Sequence, residues 1–228
     1  MGLDEALLLT PSHTTLRLYR WDPPGLSLGY FQASAAFDPP PPGAVLVRRI
    51  TGGGAIYHAG DLTFSLTIDT VDLPKRVEDS YALVHGAIGQ ALIGLGAAIE
   101  VDDSGPPARA SRPDEPWCLA DGGPTDLRTA DGLKVVGSAQ RRLQQPVARV
   151  LHHGSIALES HATTPRCGSL QKALPDVAVS DLETALVREL AHALQMQPVI
   201  EKPSDDEFAL AERLASEKYA DPSFVQRR

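Results

Sequence analysis

Leu62, Phe64, Leu66 and Ile68 alternate with Thr63, Ser65 and Thr67. A strand over this stretch has one apolar face and one hydroxyl-bearing face free to meet water or a substrate. Further on, Val77, Tyr81, Val84, Ile88, Leu92 and Leu95 recur three or four apart, the period of an amphipathic helix that Gly94-Leu95-Gly96 ends. The same two periods divide the rest of the chain. Asp4 to Leu9 reads as a short helix stopped before Pro11, and Leu16 to Arg20 as a strand that turns at Asp22-Pro23-Pro24-Gly25. The prolines at 39 to 42 make a stiff extended connector, after which Val45-Leu46-Val47 forms a short buried strand. Strands over Lys134 to Ala139 and Ala148 to Leu158 flank a turn at Gln144-Gln145-Pro146 and pair as a hairpin. Ser180-Asp181-Leu182-Glu183 and Ser204-Asp205-Asp206-Glu207 have the capping-box pattern and start the closing helices. The order predicts a single α+β domain over residues 1–228, a mixed, largely antiparallel sheet packed by helices, with its chemistry on the sheet face. Residues 102–116, rich in Pro, Ser, Asp and Arg, follow neither period and read as a mobile loop covering an active site.

Composition narrows the function. With 21 Lys and Arg against 29 Asp and Glu the formal charge is −8, so no overall basic field draws the chain to nucleic acid or an anionic membrane. A basic partner or a small substrate fits better. The longest apolar stretch, Ala87 to Ile99, is interrupted by Gly and Gln and falls short of the roughly 20 residues a bilayer requires. The start of the chain has no basic segment or cleavage site of a secretion signal, and 2 unevenly placed cysteines suit a reducing cytoplasm.

The densest candidate chemistry is Arg48-Arg49-Ile50-Thr51-Gly52-Gly53-Gly54-Ala55-Ile56-Tyr57-His58, on a link between two strands. Glycine amides can approach a ligand closely and form an anion-binding concavity, and arginine adds charge-assisted bonds to a carboxylate or phosphate. A hairpin bend explains the three glycines about as well. Neither the Walker spacing nor a dinucleotide-binding glycine fingerprint occurs. Lys134 heads the strand Lys134-Val135-Val136-Gly137-Ser138-Ala139-Gln140-Arg141-Arg142, where it is either a solvated strand-end charge or a cation that polarises an acyl carbonyl or holds a phosphate. Adjacent strand residues face opposite ways, so His152 and His153 do not share one ion, and no cluster completes a metal site. Cys118 is either a small buried hydrophobe or a thiol activated by neighbouring cations, and Cys167 competes for that role.

Taken together, these segments resemble the biotin/lipoate protein ligase family, in its lipoate ligase and octanoyltransferase branch, over nearly the whole chain. Leu3-Asp4-Glu5-Ala6-Leu7-Leu8 is similar to the family's first-helix motif, and Leu18-Tyr19-Arg20-Trp21 with Leu26 to Gln32 to its opening hairpin. The RRxTGGGAxYH, KVxGSAQRR and HHGSxxL blocks follow in family order. The resemblance implies a catalytic domain that joins a lipoyl or octanoyl group in amide linkage to one lysine of a lipoyl carrier domain. It further implies that Arg48, Arg49, Thr51, Gly52, Gly53, Gly54, His58 and Lys134 bind the acyl group, while Gly137, Ser138, Ala139, Gln140, His153 and Gly154 line its pocket. Family ligases use ATP and magnesium to make an acyl-adenylate. Family cysteine-type transferases take octanoate from acyl carrier protein, or another carrier, as an enzyme thioester without nucleotide. Gly52-Gly53-Gly54 is similar to the ligases, whereas His58-Ala59-Gly60-Asp61-Leu62-Thr63-Phe64-Ser65 and the placing of Cys118 before Lys134 resemble the transferases. The chain also leaves no room for the accessory domain many ligases carry. The balance favours a cofactor-free transferase with Cys118 as nucleophile and Lys134 as its activating or carbonyl-polarising cation. The alternatives are an ATP-dependent ligase and a non-catalytic protein that binds an acylated carrier.

Overall fold

The computed structural model describes residues 1–11, 13–101, 117–120, 123–164, 166–171 and 173–227. The loop expected at 102–116 lies outside them.

Six strands form the main sheet: β1 (Thr15–Tyr19), β5 (Asp61–Asp69), β9 (Arg149–Ala157), β8 (Lys134–Arg142), β7 (Leu127–Thr129) and β6 (Ile99–Val101), side by side in that order. All its neighbours are antiparallel, with Phe64 opposite Gly154 and Gly137 opposite Ser155. A smaller sheet places β2 (Gly25–Leu28) between β3 (Val45–Arg48), to which it is parallel, and β4 (Ile56–His58), to which it is antiparallel. The mixed, largely antiparallel architecture therefore holds. One detail does not. The segments read as an opening hairpin belong to different sheets, β1 pairing with β5 and β2 with β3 and β4. The 39–42 prolines also turn instead of running extended, the Pro41 carbonyl accepting from the Ala44 amide at 3.0 Å.

One face of the main sheet carries the large core. Val84, Ile88 and Leu92 of α2 (Val77–Gly94) and Leu182, Leu186 and Leu190 of α3 (Val179–Ala193) pack on Leu62, Phe64, Leu66, Ile68, Val136 and Ile156. The other face is covered by α1 (Gly2–Leu9), behind which lies α4 (Asp205–Leu214). This helix changes the reading of the hydroxyl face of β5: Thr63, Ser65 and Thr67 are buried, and the hydroxyls of Ser65 and Thr67 find no hydrogen-bond partner among the described residues.

The two capping motifs behave differently. Ser204 accepts from the Glu207 amide while the Glu207 carboxylate accepts from the Ser204 amide, a complete box. Ser180 forms none, because α3 already begins at Val179 and its cap residue is Ala178. Beyond α4 the chain makes a wide helical turn at Ala215–Tyr219 and ends in α5 (Pro222–Val225).

Arg48 ties that end to the body. Its guanidinium donates to the carbonyls of Gly29, Tyr30, Gln32, Phe224, Val225 and Arg227 at 2.7 to 3.3 Å. Each buried carbonyl left without a donor costs about 1–3 kcal/mol. Arg48→Met is accordingly expected to lower stability by about 3 kcal/mol or more and to make the 220–227 segment protease-sensitive, as limited proteolysis with mass mapping would show.

Candidate active site

A small, partly open pocket lies where the two sheets meet, lined by Met1, Trp21, Arg49, Ile56, His58, Thr63, Cys118, Ser138, Ala139, His153 and Gly154. Seven residues singled out from the sequence thus line one wall system: Arg49, His58, Cys118, Ser138, Ala139, His153 and Gly154. Thr51 joins them through its hydroxyl, 2.7 Å from His153 Nε2. The glycine turn works by close approach. Gly53 sits at φ +91°, and a Cβ on Gly29 would fall 1.9 Å from the Gly53 carbonyl oxygen. The carbonyls of Gly52 and Gly54 point at Arg49, at 3.3 and 2.7 Å. Arg48, by contrast, faces away toward α5, so the arginine pair divides into one structural and one cavity residue.

Arg49 is buried, and its bonds go to neutral acceptors: the Ser27 carbonyl and hydroxyl, each at 2.7 Å, and the two glycine carbonyls. Burial pushes its pKa below the ordinary value, and the neighbouring Cys118 opposes that shift. A guanidinium does not deprotonate in proteins, so this is a standing positive charge on the cavity wall. From Arg49 a directed chain runs inward. Ser27 accepts from Arg49, so its proton goes to His58 Nε2 at 2.8 Å, and His58 Nδ1 donates to Asp61 at 2.7 Å. Asp61 also accepts from Ser155 at 2.5 Å and Thr63 at 3.1 Å, and Thr63 accepts from the Trp21 indole at 2.9 Å. Trp21 stacks on His58, ring centres 4.2 Å apart. The network fixes both aromatic walls. Burial alone would raise Asp61, but His58 and the hydroxyl donors bring it below the ordinary carboxylate value.

Cys118 enters from the segment after β6. Its amide donates to the Ala55 carbonyl at 2.9 Å, next to a bridge between Ala55 and Trp117, so the glycine turn and the thiol are stitched together. The sulfur lies against Gly137, where a Cβ would stand 3.0 Å from Sγ. Lys134 is buried at the head of β8, its Nζ 3.0 Å from Asp126 Oδ2. Burial acts to lower the Lys134 pKa, but neighbouring Cys118 and the Asp126 carboxylate outweigh it and hold the ammonium above its ordinary value. Lys134 is thus no solvated strand-end charge. Cys167 packs with Leu119 and Ala157 outside the cavity lining, and burial pushes its thiol up.

The two adjacent histidines face opposite sides of β9, as their positions require. His153 meets Thr51 and lies 3.9 Å from Asp4, which also binds Arg17 and the Tyr19 hydroxyl. Burial opposes ionisation of Asp4, yet His153 and Arg17 hold its carboxyl well below the usual carboxylate range. His152 lies on the α2 side, joined through Ser138 to His85, and Gln140 donates to its Nδ1. Trp21, Asp61, Asp126 and His85 stand out as site residues only in the structure, although Trp21 and Asp61 lie within the family-like motifs at 18–21 and 58–65.

Burial pushes His58, His85, His152 and His153 below the ordinary imidazole value. The unfolded chain takes up those protons near pH 6.5 while the folded one does not, so stability is lost as pH falls below that value. A melting-temperature series from pH 7.5 to 5 should show this decline, and His152→Gln should flatten it. Gly154 offers a packing check. A Cβ there would meet the Gly137 carbonyl at 2.3 Å and Phe64 at 2.7 Å, so Gly154→Ala should destabilise by about 1–3 kcal/mol in a denaturant titration.

The lipoyl protein ligase A/B catalytic domain family matches residues 1–202. An octanoyltransferase LipM of Kyrpidia tusciae is 34% identical over 171 residues, covering 70% of this chain and 61% of the relative. The chain thus spans about three fifths of that protein. An octanoyltransferase LipM of Brevibacillus brevis is 30% identical over 270 residues, covering 100% of the chain and 94% of the relative. Among solved structures, a lipoate-protein ligase A bound with ATP superposes with a TM-score of 0.81 at 24% identity, covering 99% of this chain and 92% of the other. The bipartite lipoate protein ligase of Thermoplasma acidophilum gives 0.77 at 21% identity, covering 99% and 89%, and these two likenesses carry the fold.

Proposed function

The chain belongs to the lipoyl protein ligase A/B catalytic domain family, and we propose that it transfers an octanoyl group from a carrier thioester to a lysine of a lipoyl carrier domain through a Cys118 thioester. The observation that carries this reading is the cavity-lining Cys118 thiol set among two buried cations, Arg49 and Lys134. A thiolate nucleophile gains from such positive surroundings, and so does the oxyanion formed when it attacks. The names of the LipM relatives support octanoyl over lipoyl transfer.

The Cys118 thiolate attacks the donor carbonyl, the carrier's C–S bond breaks, and the carrier leaves as a thiolate that takes up a proton from solvent. A neutral lysine amine of the lipoyl domain then attacks the enzyme thioester. The amide forms, the Cys118 sulfur departs, and the amine proton leaves with it. Arg49 and Lys134 flank the carbonyl in both steps, while Trp21, Ile56 and Ala139 supply apolar wall for the chain. Holding thioester and amine in line accounts for much of the acceleration. This route consumes no nucleotide and needs no metal.

Two incubations with an apo lipoyl domain test the reading, one with octanoyl-carrier protein alone, the other with octanoate or lipoate, ATP and magnesium. Acylation of the domain in the first, read by intact mass, is the expected result. Acylation only in the second would make the chain a ligase.

A further inference from the structure

We infer that His85 is a positioning residue for the Asp126–Lys134 pair, acting through the Thr125 carbonyl; this rests on Lys134 being the catalytic cation. His85 is buried on α2 and hydrogen-bonds the Thr125 carbonyl through Nδ1 at 2.7 Å. A carbonyl only accepts, so Nδ1 carries the proton and Nε2 of the neutral ring accepts from the Ser138 hydroxyl at 2.7 Å. That uses the only Ser138 proton. His152 Nε2–H therefore donates to Ser138 at 2.8 Å, and Gln140 donates to His152 Nδ1 at 2.9 Å. Arg142 closes the chain by donating to the Gln140 carbonyl oxygen at 3.2 Å. Each member has one role, so the His85 ring is held in a single tautomer.

The far end of this chain is a strained turn. Thr125 sits at φ +72°, in the left-handed region that a β-branched residue rarely adopts. Such a conformation persists only where its surroundings over-determine it. Next to it, the Asp126 amide donates to the Gly123 carbonyl at 3.2 Å, and the Asp126 carboxylate accepts from the Gly123 amide at 2.6 Å and from Lys134 at 3.0 Å. His85 is the side chain that grips this turn from α2. Without its bond the turn relaxes and carries the carboxylate away from Lys134.

Among the described residues, the charged and titratable groups acting on Lys134 include Cys118, Asp126 and Arg128, while Lys134 in turn acts on His85 and Cys167. When the Asp126 carboxylate withdraws, burial and Arg128 work against the ammonium with less opposition. The alkaline limb of the transfer rate then moves to lower pH.

Two amide variants separate positioning from mere bulk. His85→Asn places an N–H donor near the Nδ1 position and can keep the Thr125 bond, whereas His85→Gln reaches toward Nε2 and Ser138 and cannot. Nitrogen-15 NMR of the lysine ammonium groups reads the pair without any acyl substrate, with Lys134→Met assigning the signal. The expected result is a protected Lys134 ammonium signal in the wild type and in His85→Asn, lost or exchange-broadened in His85→Gln and in Asp126→Asn. In the transfer assay, His85→Gln should lower kcat about tenfold with KM unchanged and shift the alkaline limb to lower pH, with His85→Asn restoring both. Equal behaviour of folded His85→Asn and His85→Gln, in signal and in pH limb, would overturn the inference. A wild type that shows the expected NMR pattern but transfers no octanoyl group would leave the positioning intact and remove the proposed function.

Discussion

Cys118→Ser is expected to lower octanoyl transfer to an apo lipoyl domain by about a thousandfold or more while leaving the fold untouched. The side chain is half-buried and the exchange nearly isosteric, so the melting temperature should stay within the range of a neutral substitution, about 0.5 kcal/mol. The loss is chemical. A serine hydroxyl at this position finds neither cavity histidine free to take its proton, because His58 and His153 are engaged with Ser27, Asp61 and Thr51. Single-turnover transfer monitored by mass would measure it. Full transfer by the serine variant would reduce Cys118 to packing.

Lys134→Met is expected to cost at least about a hundredfold in transfer, the scale of removing one preorganised charge from a water-poor site. It should also destabilise the protein, since Asp126 is left buried without its ammonium, a defect of about 3–5 kcal/mol when one partner of a buried pair is removed. The two effects can be separated. Asp126→Asn in the Lys134→Met background removes the orphaned charge and should recover much of the stability in a denaturant titration, yet none of the transfer. Recovery of both would mean that Lys134 is structural only.

The sequence conveyed local chemistry better than long-range placement. The 134–142 and 149–157 hairpin, the opposite facing of His152 and His153 and the Ser204 box follow from period, pleat and neighbouring residues, all short-range. The partition of β1 and β2 into separate sheets does not, because β1 chooses Thr63 to Thr67 as its partner across more than 40 residues. The hydroxyl face of β5 reads as open until α1 closes it. The candidate site shows the same division. The glycine turn, Cys118 and Lys134 are conspicuous as motifs, while Asp126 and His85 become meaningful only through a hydrogen-bonded path from α2 to the 123–126 turn. Arg48 and Arg49 look equivalent as neighbours, and the pleat sends one toward α5 and the other to the cavity.

The central claim is that the acyl group rests on Cys118. Intact-mass measurement of the protein after brief exposure to octanoyl-carrier protein, without nucleotide or acceptor, tests it most directly. The account predicts one octanoyl adduct that hydroxylamine removes, that an added lipoyl domain discharges, and that is absent from Cys118→Ser but present in Cys167→Ser. Transfer to the lipoyl domain without any such adduct, or with an adduct unaffected by Cys118→Ser, would contradict it.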